Sequence, residues 1–313
     1  MADMKSNGSI VVGVDESAGA AQALRWAVRE GELHRWPVTA VLCWGYLEQH
    51  HGTTPHVFEP GYAVSDATAA LHTIVARVLG EGAATVECRT VNDLAARGLL
   101  EASADASLLV LGARGLGSFR ELMLGSVSQQ CLHHATIPVA IVRADATGPR
   151  YGPQWIVVGV DGSETSQRAL DWALDEGRVR NACVEVAHAW NLSPHAVPAL
   201  ANAYAPVDED ARRIVDQALA QADTTGVTTV RLVVRQGSGG EVLVRLAEGA
   251  DLVVVGSRGL GGFKGLLLGS VSHQVTHHAP CPVVVIPHTH TPDTPGPTAT
   301  QTGTLVPGPS DAD

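Results

Sequence analysis

One passage of this chain, a buried strand running into a glycine loop and then a helix, is written twice. Leu108-Leu-Val-Leu111 leads into Gly112-Ala-Arg-Gly115, nine further residues and then Gly125-Ser126-Val127-Ser128. Leu252-Val-Val-Val255 leads in the same way into Gly256-Ser-Arg-Gly259, nine residues and Gly269-Ser270-Val271-Ser272. The helix that follows stops at Pro138 in one copy and Pro282 in the other. A glycine at a strand end lets the backbone turn and lets a ligand approach with no Cβ in the way. A Gly-Ser pair at a helix start aims unpaired N–H groups and a hydroxyl forward, at the end of the helix that favours an anion. The spacing therefore predicts two phosphate-cradling loops.

The duplication extends well beyond the loops. Ile10-Val-Val-Gly-Val-Asp15 matches Ile156-Val-Val-Gly-Val-Asp161, and Ser17 matches Ser163 as a helix N-cap. Leu24, Ala27, Val28 and Gly31 in one copy, and Leu170, Ala173, Leu174 and Gly177 in the other, have the i, i+3, i+4, i+7 spacing of a helix with one buried face. A repeat this long is a domain duplication rather than a solenoid. In each half the pattern alternates strand and helix. Strands are expected to end at Asp15 and Asp161, and to run near Val38–Trp44 and Val184–Trp190, Thr85–Val91 and Thr228–Val234, then into the glycine loops, and last over Pro138–Val142 and Pro282–Ile286. Such alternation implies right-handed crossovers and a parallel sheet covered on both faces, an α/β doubly wound fold. The expected domains are 1–146 and 154–288, joined by a Gly- and Pro-rich linker at 147–153. The Thr-, Pro- and Gly-rich stretch 289–313 cannot bury a core. Connections of roughly twenty residues after the second strands are longer than usual and read as binding loops or lids.

Composition narrows the partners. The formal net charge is −11, and no basic run offers the footprint that nucleic acid or an anionic membrane surface needs. Five scattered cysteines without a CxxC pair read as buried reduced thiols. With no apolar leader or membrane-length apolar run, a cytoplasmic location is expected.

In an open parallel sheet ligands bind beyond the carboxyl ends of the strands, where strand order reverses. Asp15 and the Gly112 loop should face each other there, as should Asp161 and the Gly256 loop. A carboxylate opposite a phosphate cradle suits a nucleotide, since it accepts hydrogen bonds from an amine or a sugar hydroxyl. The competing reading is that each aspartate only organises the start of the next helix. No GxxxxGK[ST], GxGxxG or GxSxG sequence is present, so the P-loop, dinucleotide and hydrolase-elbow chemistries are not indicated. His50, His51 and His56 fall in one loop, and His133-His134 and His277-His278 in last helical turns. No ligand stands at structural-zinc spacing, and no metal site is expected. Ser126 and Ser270 lack a sequence-evident base, so phosphate binding fits them better than nucleophilic attack.

The pattern G-x2-G-x9-G-S after a valine- or leucine-rich strand, with VGVDxS opening each half, resembles the ATP-binding class of universal stress proteins, in the tandem two-domain form seen in actinobacteria. The resemblance covers the chain except 289–313. It implies two Rossmann-like domains, each a five-stranded parallel sheet of order 3-2-1-4-5 with helices on both faces, with one ATP, with or without Mg²⁺, in each. Carried to matching positions, Asp15 and the backbone near Cys43, and Asp161 and Ala189, would hold adenine. Gly112 and Gly256 would lie against ribose. Gly115, Gly125, Ser126 and Val127, with Gly259, Gly269, Ser270 and Val271, would take the phosphates. Gly13 and Gly159 would permit close approach of the first strands, and Arg114 and Arg258 would either pair with phosphate or lie in solvent. Asn92-Asp-Leu-Ala-Ala96 departs from the glycine-containing Gln236-Gly-Ser-Gly-Gly240 of the second half, which puts the geometry of the first half's third helix in question and makes unequal sites conceivable. The family's edge-to-edge pairing of last strands predicts Val139–Val142 against Val283–Ile286, an intrachain pseudo-dimer. The implied role is a nucleotide-dependent regulator of stress response or growth arrest with an unidentified protein partner. A slow ATPase or phosphotransferase and a nucleotide-free scaffold are the alternatives, and homodimerisation of the whole chain is left open.

Overall fold

A computed structural model describes residues 8–45, 63–115, 124–145, 154–191, 204–260 and 268–288. The expected linker, the long loops with His50, His51 and His56, the C-terminal stretch and most of each nine-residue spacer lie outside these residues.

The first half runs β1 (Ile10–Gly13), α1 (Ala18–His34), β2 (Val38–Cys43), α2 (Val64–Leu79), β3 (Val86–Val91), α3 (Ala95–Ala102), β4 (Leu108–Gly112), α4 (Ser126–His134) and β5 (Val139–Val142). The second repeats it as β6 (Trp155–Gly159), α5 (Glu164–Arg180), β7 (Cys183–Trp190), α6 (Tyr204–Gln221), β8 (Thr229–Gln236), α7 (Gly239–Ala247), β9 (Leu252–Gly256), α8 (Ser270–His278) and β10 (Val283–Ile286). The ten strands form one sheet in the order β3-β2-β1-β4-β5-β10-β9-β6-β7-β8. Each half is parallel in the order 3-2-1-4-5. The join between halves is antiparallel, with Val283 opposite Ile141, Val284 opposite Ala140 and Val285 opposite Val139. That pairing removes the two edges that β5 and β10 would otherwise present. The outer strands β3 and β8 carry Glu87, Arg89, Arg231 and Arg235, charges that discourage pairing with another chain.

The strand sequences explain the layers. Side chains alternate across a sheet, so a strand covered on both faces must be apolar throughout. Ile10 and Val12 join Leu24, Leu71, Leu170 and Val215 in a core under α1, α2, α5 and α6. Val11 joins Leu99, Leu132, Leu243 and Val275 in a second core under α3, α4, α7 and α8.

The differences from the sequence reading are small. β1 stops at Gly13 rather than Asp15 because the Asp15 carboxylate takes the Ser17 N–H and turns the chain. Thr85 belongs to a 3₁₀ turn, where its hydroxyl donates to Gly82 O at 2.8 Å. β8 continues to Gln236, opposite Trp190. The third helix forms in both halves. Ser238 Oγ caps α7 by accepting from Glu241 N–H, whereas at α3 the Asp93 carboxylate accepts from Leu94 N–H at 2.6 Å and pairs with Arg97 at 2.6 Å.

Candidate functional site

Two crevices lie at the switch points, where β1 neighbours β4 and β6 neighbours β9. In the first, Asp15 Oδ1 accepts from Ser17 N–H at 2.9 Å. Ser17 Oγ in turn accepts from Ala20 N–H at 3.1 Å, capping α1, and donates to Arg114 O at 3.2 Å. One serine thus ties the helix start to the glycine loop. In the second crevice Asp161 Oδ1 accepts from Ser163 N–H at 3.0 Å, and Ser163 Oγ accepts from Ser166 N–H at 3.1 Å. The aspartates therefore do organise the helix starts, and they also meet the loops. A Cβ on Gly115 would stand 2.7 Å from Asp15 Oδ2, and one on Gly259 would collide with Asp161 Oδ2. Asp161 Oδ2 also accepts from Leu260 N–H at 2.8 Å. Burial alone would raise the Asp161 carboxyl, but hydrogen bonds from Ser163, Leu260 and Ser166 outweigh it and hold the group below the usual carboxylate range. It is an anion at neutral pH, suited to accept from an amine or a hydroxyl.

The other wall is a helix start. Gly125 is the N-cap of α4 and Gly269 that of α8, both extended, and neither helix has a side-chain cap. By contrast Ser17, Ser163 and Ser238 close the starts of α1, α5 and α7 with their own oxygens. The first bonds to the cap carbonyls run from Gln129 N–H to Gly125 O at 3.0 Å and from His273 N–H to Gly269 O at 2.9 Å. The N–H groups of Ser126 and Val127, and of Ser270 and Val271, precede those bonds and point out of the helix. Two bonds fix each helix start against its strand. Gly125 N–H donates to Ala113 O at 2.8 Å, and Ser128 Oγ to Gly112 O at 2.8 Å. Gly269 N–H donates to Ser257 O at 2.7 Å, and the Ser272 hydroxyl donates to Gly256 O.

The remaining sequence-derived residues are placed as follows. At Gly112 a Cβ would lie 2.6 Å from Gly19 C and 2.8 Å from Ala20 N, so a side chain there would push α1 off β4. A Cβ on Gly256 would come 2.8 Å from Thr165 Cγ2. Leu99 and Leu111 fill the space beside Gly13, and Leu243 and Val255 that beside Gly159. Cys43 ends β2 with its thiol donating to Ala95 O at 3.6 Å under α3, while Ala189 sits near the end of β7 opposite Arg235. Arg258 is half-buried, and its Nε is buried without a hydrogen-bond partner among the described residues, a cationic donor that an anion would satisfy.

Ser128 and Ser272, the last letters of the Gly-Ser-Val-Ser repeat, have no role legible in the sequence, and they are the pins that hold each helix start against its strand. Beside the second crevice, marked by no motif, the Thr165 hydroxyl meets His288 Nδ1 at 2.9 Å and His288 N–H donates to Ser257 Oγ at 2.8 Å. The signal was available in the internal alignment, since Gly19 and Ala113 stand at the matching positions of the first half.

Fold and site together define a tandem doubly wound α/β protein with one glycine-loop crevice per half. The sequence profile of the Universal stress protein family matches residues 7–143 and again 154–287, and the chain belongs to that family. It is 34% identical over 294 residues to a universal stress protein of Mycolicibacterium smegmatis, covering 88% of this chain and 96% of that one. It is also 34% identical over 306 residues to universal stress protein Rv2623 of Mycobacterium tuberculosis, covering 91% and 98%. A universal stress protein crystal structure from Archaeoglobus fulgidus shares the fold, with a TM-score of 0.62 at 18% identity over 90% of this chain and 98% of that chain. No helix among the described residues is long and apolar enough to cross a membrane.

Proposed function

We propose that each half binds one ATP and that the chain acts as a nucleotide-dependent regulator of stress response or growth arrest. The observation that carries this reading is the pair of uncapped helix starts, α4 and α8, each facing an aspartate across a strand-order switch point. Such a helix end offers several N–H groups and a partial positive charge to a phosphate. A glycine N-cap leaves the approach clear. Ser126 and Ser270 add a hydroxyl at the same end, and Arg258 adds an Nε with no hydrogen-bond partner among the described residues in the second half. The opposing aspartates, with the strand ends at Cys43 and Ala189, supply acceptors and backbone groups for the base and sugar. Mg²⁺, where present, would neutralise the phosphate chain.

Denaturing the freshly purified protein and identifying what it releases by chromatography and mass spectrometry tests the reading. About two ATP per chain is the expected result. No released nucleotide, together with no change in melting temperature on adding ATP, would overturn it, because a ligand that binds only the native state must raise apparent stability.

A further inference from the structure

Four ionisable side chains are buried together where α1 meets α5 across the join between halves. Arg180 Nη2 donates to both carboxylate oxygens of Glu30 at 2.6 Å, and Arg180 Nε donates to Glu176 Oε1 at 2.5 Å. His34 Nε2 lies 3.0 Å from Glu176 Oε2, its ring stacked on Trp36 with centroids 4.3 Å apart. Glu30 is 2% exposed and Glu176 fully buried. Glu30, His34 and Glu176 bring ligand atoms within 4.8 Å of one another, but the Arg180 guanidinium already stands between the carboxylates where a metal ion would sit. The stacked His273–His277 pair on α8, with the His278 ring centroid 6.3 Å from that of His277, does not bring three ligand atoms within 4.8 Å of one another among the described residues.

The charge count is odd. Two carboxylates face one permanent cation, so the cluster is neutral only when it holds one proton, on His34 or on Glu30. Burying an uncompensated charge is costly. We propose that this cluster is a one-proton lock between the two halves, closed when protonated and loosened by a buried net negative charge when the proton leaves.

The surroundings agree. Burial lifts the Glu30 carboxyl to about 7 against the pull of Arg180, and the Glu176 charge adds to the rise. Burial also acts upward on Glu176, yet Arg180 and the His34 hydrogen bond outweigh it and bring it down to about 2. The two differ because Glu176 has two donors and Glu30 has only the guanidinium. A cavity of about 90 Å³ adjoins Glu30 and Arg180, lined also by Arg29, Asp251 and Cys281, the other ionisable groups that face it. It has room for water, which gives the proton a path. A carboxyl raised in the folded state contributes stability that is complete below its unfolded value of 4.5 and is lost as pH rises through about 7. Acidification from pH 8 towards pH 5 should therefore tighten the join.

The test is urea unfolding of the full chain between pH 5 and pH 8.5, wild type against Glu30→Gln. Glutamine keeps the shape and leaves Arg180 and Glu176 balanced throughout that pH range. The wild-type unfolding constant should rise relative to the variant by up to about tenfold per pH unit between pH 5 and pH 7, the limit for one proton. Parallel profiles would overturn the proposal. If Glu30→Gln does not fold, NMR titration of the Glu30 carboxyl in the wild type decides the matter. It should titrate near pH 7, and the absence of a Glu30 titration between pH 5.5 and 8.5 would refute the lock.

Discussion

Replacing the N-cap glycines by aspartate separates the proposed nucleotide binding from folding. Gly125 has φ −75° and ψ 156°, and Gly269 φ −73° and ψ 155°, extended conformations that aspartate adopts freely. Aspartate is among the best N-caps, so Gly125→Asp and Gly269→Asp should leave stability unchanged or raise it by a few tenths of a kcal/mol. A Cβ on Gly269 would come 3.3 Å from Ser257 O, a contact relieved by a small shift. The new carboxylate would take the first-turn N–H groups and set a negative charge where the proposed phosphate would sit. Repulsion at about 4 Å ranges from about 1 kcal/mol in water to about 4 kcal/mol at an effective dielectric of 20. Each charge-assisted hydrogen bond lost adds about 1.5–3 kcal/mol. A total of at least about 3 kcal/mol makes binding at that site at least about a hundredfold weaker. Isothermal titration with ATP should find two sites in the wild type, one in each single variant and none in the double variant, with melting temperatures of the nucleotide-free proteins within a few degrees. Two undiminished sites in Gly269→Asp would refute the assignment of phosphate to the start of α8.

Two further outcomes follow from the geometry. Asp161 is held below its ordinary range, so it contributes stability that is present above its unfolded value of 3.8 and lost as pH falls through the lower folded value. Acid unfolding followed by circular dichroism should show a shallower acid limb for Asp161→Asn than for wild type, and identical limbs would mean that its hydrogen bonds carry no stability. At the join, Ile141 is 1% exposed and lies opposite Val283. Ile141→Asp would bury an unpaired carboxylate at a cost of about 3 kcal/mol or more, whereas Ile141→Val should cost about 1 kcal/mol. Urea unfolding at pH 7 measures both, and an aspartate variant as stable as the valine one would show that the β5–β10 pairing does not hold in solution.

The parts that were legible in the sequence are those governed by short-range rules. Unbroken apolar runs such as Leu108–Leu111 and Leu252–Val255 mark strands covered on both faces, and Ser17 and Ser163 mark helix starts by their oxygen chemistry. The glycine loops were visible because the absence of a side chain is itself a sequence signal. The reason for some glycines was not visible. Gly112 and Gly13 are demanded by α1 and by Leu99, neighbours remote in the chain, and the same residue type fits a ligand contact equally well. Glu30 and Glu176 were illegible for a related reason. In a helical pattern each reads as one more solvated carboxylate, and only the crossing of α1 with α5 turns the pair into a buried cluster.

The duplication itself shows where that cluster acquired its odd charge. The 146-residue step that carries Asp15 to Asp161 also carries Glu30 to Glu176 and His34 to Arg180. The two crossing contacts, Glu30 with Arg180 and Glu176 with His34, are therefore equivalent under the pseudo-twofold relation between halves. A cluster with arginine at both positions would be neutral with both carboxylates ionised and no added proton, and histidine at one of them makes the charge conditional. His34→Arg should thus remove the pH dependence by the opposite route from Glu30→Gln, adding a permanent cation instead of deleting an anion. Its unfolding constant should lose the wild-type rise, up to a hundredfold over the two pH units below 7, and converge with that of Glu30→Gln in slope though not in absolute stability. A wild-type slope in His34→Arg, alongside a flat Glu30→Gln, would assign the proton to Glu30 with no compensation from position 34, and the parity argument for the histidine would fail.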